Sequence, residues 1–140
     1  MTTILCATRG GEASIQTQMK AIELARERGA ELLFLYVADV EFLDHMAGAI
    51  VVDVASELEN MGEFLLLMAK ERAEEQGVTA HTVVKRGKFR QALIEAAQEA
   101  GASLIVLGSP GEDTSITHPE FLQELARSIA EEVGIETIIV

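Results

Sequence analysis

The 140 residues carry 23 acidic against 11 basic side chains, a formal charge of −12, with 49% hydrophobic content and no tryptophan. That length supports one hydrophobic core and a single domain over residues 1–140. The negative balance repels nucleic-acid phosphates, aromatics at 4% offer no stacking platform for single strands, and no apolar run approaches the roughly 20 residues of a membrane span.

In chain order, Thr3-Ile4-Leu5-Cys6-Ala7-Thr8 is an apolar run of strand length closed by Arg9-Gly10-Gly11. Ile15, Met19, Ile22 and Ala25 recur at helical spacing as one apolar face, and Gly29 stops that helix. Leu32 to Val37 is a second continuous apolar run, which predicts a strand covered on both faces. Residues 38–53 show the least regular pattern. Val54, Leu58, Met61, Leu65, Met68 and Arg72 mark the face of a long helix ending near Gly77. Phe64, Leu66 and Leu67 extend its apolar character beyond one face; deep burial is the expected reason and a partner surface the alternative. Val78 to Lys85 reads as a weaker, edge strand. Phe89, Leu93, Ala96, Ala97 and Ala100 give a third helix closed by Gly101. Leu104 to Leu107 is a buried strand running into Gly108-Ser109-Pro110-Gly111. From Pro119 onward Leu122, Leu125, Ala126, Ile129 and Val133 form a fourth helix, stopped by Gly134 before a last strand, Ile135 to Val140. The sum is an α/β fold: an open, parallel five-stranded sheet with helices on both faces, ordered 3-2-1-4-5 or 2-1-3-4-5.

Ligands of such sheets bind beyond the strands' carboxyl ends, where the strand order reverses. Under the first order Thr8-Arg9-Gly10-Gly11 faces Gly108-Ser109-Pro110-Gly111, a cleft with one fixed positive charge that suits an anion or nucleotide. Other chemistries fail at these ends. A phospho-receiver needs carboxylates where Arg9 and Arg86 stand, and a cysteine phosphatase needs an arginine where Glu12 stands. Neither a P-loop nor a Gly-x-Ser-x-Gly sequence occurs, and His45, His81 and His118 lack ligand spacing. No catalytic residue and no metal ligand is therefore assigned, and the expectation is not an enzyme, weak nucleotide hydrolysis aside. Cys6 is expected to be a small core residue; a lone cysteine and the absence of a leader pattern point to the cytoplasm. Lys85, Arg86, Lys88 and Arg90 crowd at a strand end and a helix start. They are read as a solvated rim facing acidic neighbours, with capture of an anion or acidic partner as the alternative.

The alternation, the opening Ile4-Leu5-Cys6-Ala7-Thr8, the Val84-x-x-Gly87 turn before an alanine-rich helix, and Leu104 to Gly111 resemble the universal stress protein family along the whole chain. The resemblance implies a Rossmann-like fold of the adenine nucleotide alpha hydrolase type, strand order 3-2-1-4-5, and a homodimer formed through the last strand. It also implies a division into ATP binders and non-binders, the binders carrying Gly-x2-Gly-x9-Gly-[Ser/Thr] after strand 4. On that pattern Gly108 and Gly111 are the first two glycines and Val37 lies near the adenine, completing a candidate set of Thr8, Arg9, Gly10, Val37, Gly108 and Gly111. The third glycine and its hydroxyl fall on Phe121 and Leu122, or on Gln123 and Glu124 when aligned from the C-terminus. Arg9 stands where binders carry an acidic residue, and Glu112, Asp113, Glu120 and Glu124 add negative charge where phosphates would lie. The expectation is a homodimeric regulatory module with a degenerate nucleotide site and unidentified protein partners. ATP or AMP is the ligand of the alternative reading; no nucleic-acid partner and no membrane span are expected.

Overall fold

A computed structural model describes residues 2–8, 12–38, 48–108 and 119–140. Among them five strands alternate with four helices: β1 (Thr3–Ala7), α1 (Glu12–Arg28), β2 (Glu31–Ala38), α2 (Gly48–Glu75), β3 (Ala80–Arg86), α3 (Phe89–Ala100), β4 (Ala102–Leu107), α4 (Pro119–Val133) and β5 (Glu136–Ile139). The strands form one parallel sheet in the order β3-β2-β1-β4-β5, which decides between the two orders open to the sequence. Both faces of the central strands are covered, and this is why their sequences are continuously apolar. Ile4 and Cys6 of β1, with Phe34 and Tyr36 of β2 and Val106 of β4, pack beneath α1 and α2. Leu5, Leu35, Ile105 and Leu107 point the other way, into a cluster closed by Leu93 of α3 and Leu122, Leu125 and Ile129 of α4. β3 lies at the sheet edge, as its weaker pattern implies. α3 ends at Gly101, whose φ of 64° lets its N–H turn back to the carbonyls of Ala97 and Gln98.

The helices on the first face differ from the periodicity in phase. α2 begins at Gly48, inside the stretch that shows no clear pattern, rather than at Val54. Its inner stripe is Gly62, Leu66, Ala69 and Ala73, all buried, and not Met61 and Met68. A Cβ on Gly62 would come within 2.3 Å of Tyr36 Cδ1, so the helix axis approaches the sheet as closely as glycine allows. Of the three extra apolar residues only Leu66 is buried; Phe64 and Leu67 stand exposed, against the expectation of deep burial. In α1, Ile22 and Ala25 are buried as expected, but Ile15 and Met19 are exposed, and Thr17 and Gln18 take the inner positions. The stripe is narrowed by small residues and shared with polar ones, which hydropathy does not register.

Candidate functional site

The carboxyl ends of β1, β2 and β4 meet at the point where the strand order turns. Cys6 is in register with Val106, so Thr8 and Gly108, each two residues on, follow neighbouring strands. The Thr8 N–H donates to the Leu35 carbonyl at 2.9 Å, which carries the β1 backbone one residue past its strand. α1 then covers this end. Gln18 Nε2 donates to Thr8 Oγ1 at 2.8 Å, and Arg72 Nη1 of α2 donates to Gln18 Oε1 at 2.9 Å. Thr8, Thr17 and Gln18 are at most 4% exposed. A buried amide and hydroxyl of this kind need partners, and the guanidinium supplies a charge-assisted one. Gly108 is held just as tightly, because a Cβ there would come within 2.5 Å of Thr17 Oγ1. Thr17 and Gln18 thus fill the α1 side of the crevice. On the opposite side Ala7 and Val37 are half-buried against the cluster under α3 and α4, and they present a small apolar wall.

Of the residues selected from the sequence, Thr8, Val37 and Gly108 come together at this end of the sheet. Arg9, Gly10 and Gly111 lie outside the described residues, as do Glu112, Asp113, His45 and His118. The positions for a third phosphate glycine and its hydroxyl belong to α4: 121 to 124 are helical, and Leu122 is buried in the core. Thr17, Gln18 and Arg72 escape sequence reasoning. Their signal is slight: a Thr-Gln pair stands one turn before Ala21-Ile22, on the helix face that should be apolar.

Cys6 is fully buried, and burial pushes its thiol up to about 12, which keeps it protonated and inert as a core residue. Three of the four basic residues of the cluster, Lys85, Arg86 and Arg90, are met by acids. Lys85 Nζ lies 3.2 Å from Glu95 and 3.1 Å from Glu99, Arg86 pairs with Glu59, and Arg90 pairs with Glu132 and donates to Ser128 at 2.6 Å. The hydrogen bond from Arg86 holds the Glu59 carboxyl below its ordinary range, and that to Glu99 raises the Lys85 ammonium. Among the described residues no group of three or more His, Cys, Asp or Glu side chains is placed to hold a metal ion, and no helix is long and apolar enough to cross a membrane.

A second open feature among the described residues is the β5 edge. The Val140 N–H donates to the Leu107 carbonyl at 2.8 Å, so the strand's second row of backbone groups faces outward. Beside it lies a groove of about 870 Å³, lined by Ile15, Met19 and Ile22 of α1 and by Val140, with Glu23 and Arg26 on its rim.

The family model that matches is that of the universal stress protein family, over residues 1–139. A universal stress protein of Bacillus subtilis is 34% identical over 116 residues, covering 77% of this chain and 78% of its own. Among solved structures, one of a universal stress protein family member from Burkholderia pseudomallei is 26% identical with a TM-score of 0.74, covering 99% of this chain and 95% of that one. Another, of a universal stress protein in complex with cAMP, is 24% identical with a TM-score of 0.70 and covers 99% of this chain. A sheet ordered 3-2-1-4-5, helices on both faces and a full-length family match lead to one conclusion: this chain belongs to the universal stress protein family.

Proposed function

We propose that the chain is a cytoplasmic, homodimeric regulatory module that works through protein contacts and whose nucleotide crevice is degenerate. The observation that carries this reading is the start of α4. The positions that would offer a glycine N–H and a hydroxyl to phosphates are helical, and one of them, Leu122, is part of the core. The Thr8 hydroxyl already accepts from Gln18, and Thr17 stands so close to Gly108 that not even a Cβ would fit between them, so the protein's own side chains occupy the α1 side of the crevice. Dimerisation fits the outward row of β5 and the exposed Ile15, Met19 and Val140 next to it. On this reading the chain is not an enzyme. The test is the nucleotide content of protein as purified. With no tryptophan and one tyrosine, its own absorbance hides little of an adenine chromophore. Acid extracts should hold nucleotide far below one per chain; one per chain contradicts the proposal.

A second reading is favoured by the relative of the same fold in complex with cAMP. Here Thr8, Arg9, Gly10, Gly108 and Gly111 embrace a phosphate and Val37 touches the adenine of ATP or AMP, the Arg9 guanidinium replacing the missing Gly-Ser contacts. Arg9→Ala should then weaken nucleotide binding by about tenfold or more. An unchanged affinity removes this reading.

A further inference from the structure

We propose that the outward face of α2 is a docking surface for a basic amphipathic helix of a partner protein. Phe64 is 63% exposed, Leu67 54%, Met61 49% and Met68 37%, the four forming one patch in the middle of the helix. With 3.6 residues per turn they fall on the arc opposite Gly62, Leu66, Ala69 and Ala73, which face the sheet. An inner stripe with glycine and alanine at three of its four positions, and four large apolar residues outside, departs from the usual helix pattern. The close approach at Gly62 to Tyr36 fixes the helix rotation, so the patch cannot turn inward.

Charge decides what covers it. Glu57 and Glu71 stand seven residues either side of Phe64, about 10 Å along the axis, and Glu75 extends the same line. Glu63 flanks it, and these four exposed carboxylates have no ion-pair partner among the described residues. The two basic residues of this segment lie off the arc: Arg72 donates to Gln18, and Lys70 is half-buried. A second copy laid antiparallel on this face would set Glu57 against Glu71 and Glu75; laid parallel, it would set each against itself. An anionic lipid surface would be repelled by the same row. A helix with apolar residues at i, i+3 or i+4 and i+7 and Lys or Arg two turns away on each side satisfies both the patch and its ends. Met61 and Met68 supply adaptable contact. α2 packs on β2 and β3, at the opposite edge of the sheet from β5, so this surface stands apart from the proposed dimer edge and from the crevice.

The probe is a fluorescent amphipathic peptide of about 18 residues built from Leu, Ala and Lys, long enough to fold on the surface. Anisotropy should show saturable binding that weakens about tenfold in Phe64→Ser and in Leu67→Ser. A Glu57→Gln/Glu71→Gln/Glu75→Gln variant should bind several-fold more weakly and lose most of the salt dependence. A peptide with Glu for Lys should not bind. Thermal melts of the exposed-residue variants should match the parent. Binding unaffected by Phe64→Ser and Leu67→Ser overturns the proposal. So does a sedimentation mass halved by either variant, which would identify a second copy as the occupant. Phosphatidylglycerol vesicles that bind the parent and not Phe64→Ser would assign the face to a membrane and overturn it as well.

Discussion

Gly62 and Tyr36 set how near α2 comes to the sheet. Replacing a mid-helix glycine by alanine ordinarily stabilises a helix by about 1 kcal/mol. Here the added methyl would press within 2.3 Å of the Tyr36 ring, and overpacking of that kind costs roughly 1–3 kcal/mol. Gly62→Ala is therefore expected to lower the urea midpoint; a raised midpoint would show that α2 has room to lift. Cys6 makes a second residue-scale prediction. Its thiol is pushed up to about 12 by burial, whereas in the unfolded chain it ionises near its ordinary value of about 9. The unfolded state therefore loses the proton first. Below pH 9 the group leaves stability unchanged, and between about 9 and 12 its contribution falls as pH rises. A thiol reagent at pH 8 should label Cys6 in urea but not in buffer; rapid labelling in buffer would contradict its burial.

At the scale of elements, the Arg86–Glu59 pair ties β3 to α2 across an exposed rim. The Glu59 carboxyl is held down first by the Arg86 hydrogen bond, so its contribution is present above the ordinary carboxylate range and lost as pH falls through its lowered value. Arg86→Gln should return the Glu59 titration, followed by carboxyl NMR, to the ordinary range, and concentrated salt should do part of the same. A titration that does not move would mean the pair does not form in solution. The strands were legible because their chemistry is uniform: Ile4-Leu5-Cys6 and Leu104 to Leu107 are buried on both faces and so read as unbroken apolar runs. Helix existence was legible too, down to the glycine stops. The phase of α3 and α4 was legible as well, that of α1 and α2 was not. Large apolar residues draw the periodicity towards Met61 and Met68 or Ile15 and Met19, while the true inner stripes rest on Gly62, Ala69 and Ala73 and on Thr17 and Gln18. The first group is chosen for closeness to the sheet; in the second, Thr17 fits against Gly108 and Gln18 hydrogen-bonds with Thr8 and Arg72, properties that hydropathy does not encode.

At the scale of the molecule, the pairing of the ends of β1 and β4 followed from strand order, and strand order came from family resemblance, since alternation alone left two choices. What stands inside the crevice could not be foreseen, because Arg72 lies 54 residues from Gln18 and only the packing of α1 beside α2 joins them. The proposed dimer is checked by sedimentation: the parent chain should show twice 15.1 kDa, and Met19→Glu, which puts a charge into the groove next to Val140, should return it to 15.1 kDa with its melt unchanged. A parent mass of 15.1 kDa would remove the dimer. The proposed degeneracy of the crevice is tested most directly by calorimetric titration of ATP with Mg²⁺, followed by ADP and AMP. No saturable heat, corresponding to a Kd weaker than about 1 mM, is the predicted result; one-to-one binding with a Kd near 1 μM would contradict the account.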